Sequence, residues 1–271
     1  MSRGRCLTIA GSDSGGGAGI QADLKTFAAL GCYGMSAITA LTAQNTKGVD
    51  DVFAAPPEFV AKQIEVVATD IGVDAAKTGM LFSSEIIRAV VREVRRLSIR
   101  PLVVDPVMVA TSGDRLLRED AVAALRAELL PLATVVTPNI AEAEVLAGFR
   151  IADARALERA ARAIASFGAE WVVLKGGDRV VPGLSRDDES VDWVYGQGEA
   201  FPLRGRRLPG VWHGTGCTFS AAICAHLARG DDVPTSLQEA KVYVQGALEH
   251  ASRIGGGARP VNHVWRQEAH V

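Results

Sequence analysis

The stretch Leu102-Val103-Val104-Asp105-Pro106 is a compact apolar run that ends on an acid and is closed by a proline. Val135-Val136-Thr137 and Trp171-Val172-Val173-Leu174-Lys175 have the same form, and helical sequence separates each run from the next. A strand with water on one face alternates apolar and polar residues. These runs do not, so they read as strands covered by helices on both faces, which makes the sheet largely parallel. In such a sheet ligands sit beyond the C-terminal ends of the strands. Upstream, residues 6–10 read as a strand, 20–30 as a helix stopped by Gly31, 35–44 as strand plus loop, and 73–77 as a short strand. Pro57 opens a helix to about residue 71, and Ile87, Val90, Val91, Val94 and Leu97 recur at helical spacing behind Ser83 or Ser84 as N-cap. The pattern breaks at 191–208, where two strand-like runs flank Gly196-Gln197-Gly198 and predict a β-hairpin. Two long helices follow, at roughly 217–229 and 236–254.

With 271 residues and 48% hydrophobic content, a single domain spanning 1–271 is expected. A net charge of -2 gives no positive field to attract a phosphodiester backbone, so small molecules rather than nucleic acids are the expected partners. The four cysteines, Cys6, Cys32, Cys217 and Cys224, show neither CxxC spacing nor the density of a disulfide scaffold, which fits a reducing cytoplasm. No run approaches the ~18 apolar residues that a membrane helix needs.

Four motifs at strand ends are candidates for chemistry. Residues 11–19, GSDSGGGAG, form a strand-to-helix loop that lets backbone approach a ligand closely, or simply a tight turn. Asp23 lies about one turn inside the following helix, where a carboxylate is also an ordinary dipole partner. Gly214-Thr215-Gly216-Cys217 opens a helix with two glycines, leaving backbone N–H groups free for a phosphate; the plain alternative is a Gly-capped helix with a buried cysteine. The helix dipole there favours a Cys217 thiolate, while an approaching triphosphate opposes it. Asn139 and Glu142, three residues apart, suit either a capping box or water-mediated Mg²⁺ binding. Asp105 ends its strand where a metal or hydroxyl could sit, and Lys77 and Lys175 close strands where each could reach phosphate or project into solvent.

Taken in order, GSDSGGGAGIQADLKT (11–26), TAQNT (42–46), KTGM (77–80), VVDPVMVATSGDRLL (103–117), TPNIAEAEVLAG (137–148) and HGTGCTFSAAI (213–223) resemble the hydroxymethylpyrimidine/phosphomethylpyrimidine kinases of thiamine biosynthesis, in the ribokinase-like superfamily. The resemblance runs from about residue 6 to His263. It implies an α/β three-layer sandwich with a mostly parallel central sheet, ATP and Mg²⁺ as cofactors, and a homodimer. It also implies two steps, phosphorylation of 4-amino-5-hydroxymethyl-2-methylpyrimidine and then of its monophosphate. By the same resemblance Asp23, Gln44, Met80 and Val107 surround the pyrimidine. Gly214, Gly216 and Cys217 are catalytic, Lys175 and Thr215 serve the nucleotide, and Asp105, Asn139 and Glu142 the metal. Cys217 stands where sugar kinases of the superfamily carry an aspartate base. Two departures are Asp178, where histidine is expected, and Trp212 just before HGTG. Residues 109–117 and 181–190, polar and glycine-bearing, are expected to act as lids.

The competing enzyme reading is a pyridoxal or pyridoxine kinase, whose substrate is also a flat aza-aromatic ring with a hydroxymethyl arm. A catalytically silent pyrimidine sensor has no need of an anion hole.

Overall fold

The computed structural model describes residues 3–109, 116–118, 120–177 and 179–268. The elements run β1 (Arg5–Asp13), α1 (Gly19–Ala29), β2 (Tyr33–Gln44), β3 (Val49–Ala54), α2 (Pro57–Asp70), β4 (Ala75–Thr78), α3 (Ser84–Arg96) and β5 (Leu102–Val104). They continue with α4 (Ala121–Ala124), β6 (Val135–Val136), α5 (Ile140–Ala147), α6 (Ala154–Ala165), β7 (Trp171–Leu174), β8 (Glu189–Gly196) and β9 (Glu199–Arg206). The chain then forms β10 (Trp212–His213), α7 (Thr215–Ala228), α8 (Val233–Glu249), β11 (Arg259–Pro260) and α9 (Trp265–Glu268). Nine strands make one sheet in the order β3-β2-β1-β4-β5-β6-β7-β8-β9. From β2 to β7 every neighbouring pair is parallel, and β3, β8 and β9 join antiparallel.

The apolar runs explain the three layers. Along the central strands, Leu7, Ile9, Ala76, Leu102, Val104, Val136, Val172 and Leu174 face one core, with side chains of α2, α3, α5 and α6. Cys6, Ala75, Val103, Val135, Trp171 and Val173 face the other, with α1, α7 and α8. Successive residues of one strand thus enter different cores, and both faces are sealed. Each aliphatic side chain buried this way contributes about 1.5–3 kcal/mol relative to exposure, which is why no polar residue interrupts β5, β6 or β7. Helix α7 packs against α1 and α8, and all ten of its residues 218–227 are buried.

The hairpin expectation holds as β8–β9, turned by Gln197 and Gly198 in left-handed backbone. Helix α8 starts earlier than expected, because Asp232 caps the Thr235 N–H at 2.8 Å and Pro234 occupies the first turn; it ends at Glu249. Strand β3 and the two-residue pair β10–β11 were not legible in the sequence. The expected lid at 181–190 is differently built: Val181 and Leu184 pack on the core, and Glu189 and Ser190 already belong to β8. Within the expected lid at 109–117, residues 110–115 lie outside the described residues, as does Asp178. Among the described residues no helix is long and apolar enough to cross a membrane.

Candidate active site

Three parallel strands end on Asp105, Thr137 and Lys175. The Lys175 ammonium donates to Asp105 Oδ1 at 2.8 Å, and the Thr137 hydroxyl donates to the same oxygen at 3.2 Å. Asp105 Oδ2 accepts from the Ser220 hydroxyl of α7 at 3.3 Å. Burial pushes Asp105 up, but Lys175 and Lys77 outweigh it and hold the carboxyl below its usual range. Burial likewise works against the Lys175 charge, and Asp105 and Glu142 overcome it.

Asn139 and Glu142 form a full capping box at the start of α5. The Glu142 N–H donates to Asn139 Oδ1 and the Asn139 N–H to Glu142 Oε2, each at 2.8 Å. The amide oxygen of Asn139 is therefore turned into the helix cap rather than toward a cation. Among the described residues, Glu142 Oε1 has only a long 3.4 Å contact from the Met108 N–H. Burial raises Glu142 to about 7, with Lys175 opposing and Asp105 adding to the shift. Among the described residues no group of three His, Cys, Asp or Glu could hold a metal directly. The hard, underused Oε1 of Glu142, backed by Asp105, fits Mg²⁺ held through its own water, the mode that ion favours.

The first turn of α7 lies against this carboxylate pair. Gly214 is its N-cap, with φ +85 and no side-chain cap, and a side chain at Gly214 would overlap the Gly17 carbonyl oxygen. The Thr218 N–H returns to Gly214 at 2.9 Å, so the amides of Thr215, Gly216 and Cys217 have no acceptor within the helix. A β-carbon on Gly216 would lie 3.0 Å from Lys175 Nζ and 3.7 Å from Asp105 Oδ2. The Lys175 ammonium and the positive end of α7 thus converge on one place.

Cys217 is partly exposed there. Burial raises its thiol to about 11, Lys77 and the Gly19 N–H oppose that, and Asp23 and Asp105 add to it. Against the helix end, which favours a thiolate, desolvation and two nearby carboxylates push the thiol above its usual range.

The expected ring contacts are divided. Asp23 is fully buried, accepting the Lys77 ammonium at 2.9 and 3.0 Å and the Thr8 hydroxyl at 2.6 Å. Lys77 does not project into solvent but is fully buried: burial disfavours its charge, and Asp23, Cys217 and Asp105 restore it and raise its pKa. Asp23 therefore sits one layer behind the cleft. Met80 and Val107 share a small apolar cluster with Ala40 and Leu116. Gln44 is half-buried at the end of β2; its Oε1 accepts the Thr42 hydroxyl at 3.1 Å, and its backbone is held on both sides by Ser14. Together with His213, Lys47 and Gly257 it lines a cavity of about 290 Å³. Sequence reasoning missed Thr137 and Ser220, whose hydroxyls are local in nothing but space.

A family model described as phosphomethylpyrimidine kinase matches residues 13–262. The thiamine biosynthesis bifunctional protein ThiED of Geobacter sulfurreducens is 48% identical over 268 residues, 98% of this chain, which spans 53% of that protein's length. The hydroxymethylpyrimidine/phosphomethylpyrimidine kinase of Rhizobium meliloti is 51% identical, over 96% of this chain and 97% of its own. The structure of the pyridoxal kinase from Staphylococcus aureus in complex with AMP-PCP and pyridoxal matches with a TM-score of 0.88 at 36% identity, covering 98% of this chain and 95% of that one.

Proposed function

This chain belongs to the phosphomethylpyrimidine kinase family, and from that premise we propose that it transfers the γ-phosphate of ATP to 4-amino-5-hydroxymethyl-2-methylpyrimidine and then to the resulting monophosphate, yielding the diphosphate for thiamine biosynthesis. The observation that carries the reading is the convergence of Lys175 with the free first-turn amides of α7 beside Cys217. In each step an acceptor oxygen attacks the γ-phosphorus, the bond to the β–γ bridging oxygen breaks, and ADP leaves. The amides of Thr215, Gly216 and Cys217, with Lys175, meet the charge on the transferring group, and phosphoryl transfer depends chiefly on such positioning and stabilisation. Gly214 and Gly216 leave those amides unobstructed. Cys217 takes the hydroxyl proton in the small thiolate fraction that Lys77 and the Gly19 N–H sustain, which ranks the anion hole above the base.

Glu142 with Asp105, at the cap that Asn139 builds, would hold Mg²⁺ through water. When bound, the ion neutralises charge on the β- and γ-phosphates. Gln44 reads the ring amino group and nitrogen with one amide, Met80 and Val107 give apolar contact, and Asp23 acts through Lys77. A single domain, a cytoplasmic location and a homodimer complete the proposal.

The likeness to a pyridoxal kinase solved with pyridoxal favours pyridoxal as a second acceptor. Mass spectrometry on reactions with hydroxymethylpyrimidine, its monophosphate and pyridoxal in parallel tests both readings. The expected result is Mg²⁺-dependent diphosphate; no diphosphate, or pyridoxal 5′-phosphate alone, overturns the assignment. Absence of acceptor-dependent ADP release would point to a silent binding protein.

A further inference from the structure

We infer that Asp13 and His213 form a strut that sets the first turn of α7 against the glycine-rich loop, making His213 a positioning residue for phosphoryl transfer; the inference rests on the kinase reading above. Asp13 closes β1 and is 2% exposed. Its Oδ1 accepts the Gly15 N–H at 2.8 Å. Its Oδ2 accepts the Gly17 N–H at 3.0 Å, the Ala18 N–H at 2.8 Å and His213 Nε2 at 2.8 Å. A carboxylate has no proton to give, so Nε2 is the donor. Burial pushes the Asp13 carboxyl up, but the His213 hydrogen bond and the loop amides outweigh it and hold it below its usual range, so the acceptor stays anionic at working pH.

His213 immediately precedes Gly214, the N-cap of α7. Its imidazole fits only because Gly17 lacks a side chain: a β-carbon on Gly17 would overlap His213 Cδ2. Two contacts then tie the loop to the entry of α7, Asp13 with His213 and the Gly17 carbonyl under Gly214. The strand that leads into it is short: β10 is two residues long and pairs with the equally short β11. The fold supplies the helix, and the strut sets where its first turn points. A displacement of about 1 Å in a reacting assembly can cost ~10²-fold in rate.

The test is steady-state kinetics of the full chain with hydroxymethylpyrimidine and ATP, each variant assayed well below its own melting temperature. For His213→Ala the expected result is kcat lower by roughly 10–100-fold, with both KM values within about 3-fold of wild type. His213→Gln keeps a donor for Asp13 and should recover most of the rate. Gly17→Ala displaces the imidazole from the other side and should reproduce the loss. Should His213→Ala not fold, His213→Gln against His213→Met carries the comparison, because the two are similar in size and only one donates. Wild-type kcat in His213→Ala, Gln no better than Met, or a raised pyrimidine KM in place of a lowered kcat would each overturn the strut; the last would make His213 a substrate contact in the cavity it shares with Gln44. A wild-type chain that turns over no acceptor refutes the kinase reading itself, whatever the variants do.

Discussion

Replacing Lys77 with methionine removes, among the described residues, the only cation hydrogen-bonded to the fully buried Asp23, leaving that carboxylate with the Thr8 hydroxyl. Breaking a buried ion pair from one side costs about 3–5 kcal/mol, because the remaining charge is desolvated without compensation. For a chain of this size each kcal/mol moves the melting temperature by roughly 2–4 °C, so Lys77→Met should melt roughly 6–20 °C below wild type. The deficit depends on pH with a definite sign. Without its ammonium, burial places the Asp23 carboxyl above its unfolded value, and such a group contributes stability that is present at low pH and lost as pH rises through the folded pKa. The deficit should therefore be smaller near pH 5 than near pH 8. The double variant Asp23→Leu with Lys77→Met removes both charges and should lose less than Lys77→Met alone. Thermal unfolding by circular dichroism at both pH values reads all of this. A Lys77→Met chain within about 2 °C of wild type, or single-variant losses that simply add in the double, would refute the idea that the pair is coupled.

Cys217→Ala should lower kcat by ~10²–10⁴-fold if the thiol handles the acceptor proton, with ATP binding little changed, and near-wild-type kcat would leave the amides as the whole machinery. Because burial raises that thiol to about 11, alkylation of Cys217 by iodoacetamide should accelerate about tenfold per pH unit from pH 7 to 9; a plateau below pH 9 would contradict the desolvation argument. Glu142 is raised to about 7 by burial, so its contribution favours the fold at low pH and is lost as pH rises through that value; Glu142→Gln should flatten the urea-unfolding profile between pH 5 and 8, and an unchanged slope would remove Glu142 as its source. Gln44→Ala should raise the pyrimidine KM roughly tenfold or more, since an unpaired buried ring donor or acceptor costs ~1–3 kcal/mol; an unchanged KM would turn Gln44 away from the ring.

The central strands were legible because burial on both faces writes an unbroken apolar run, as in β5 and β7. Strand β3, with Asp50 and Asp51 on an exposed edge, writes no such signal, and β10 and β11 are too short for any period. The first turn of α7 was legible as a glycine pair at a helix start. The Asn139–Glu142 spacing was legible as well, but its capping and metal readings share one pattern, and only the bonded oxygen of Asn139 separates them. The Asp23–Lys77 pair lay beyond sequence reasoning. The two are 54 positions apart and meet because β1 and β4 place Thr8 beside Lys77 in register, under α1. Asp13 and His213 are separated by 200 positions and meet for similar reasons.

The burial of α7 on every side has a bearing on descent. A first turn mounted on a helix that the core encloses is expensive to alter, since nearly any change along residues 218–227 is also a change to the core. Gln44 lies instead at the end of β2, half-buried, and Val107 lies in the loop that follows β5. Under the proposed roles, drift at those two positions retunes which heterocycle is accepted while the first turn of α7 stays fixed. On that proposal a laboratory seeking a new acceptor should randomise positions 44 and 107 before touching anything in α7.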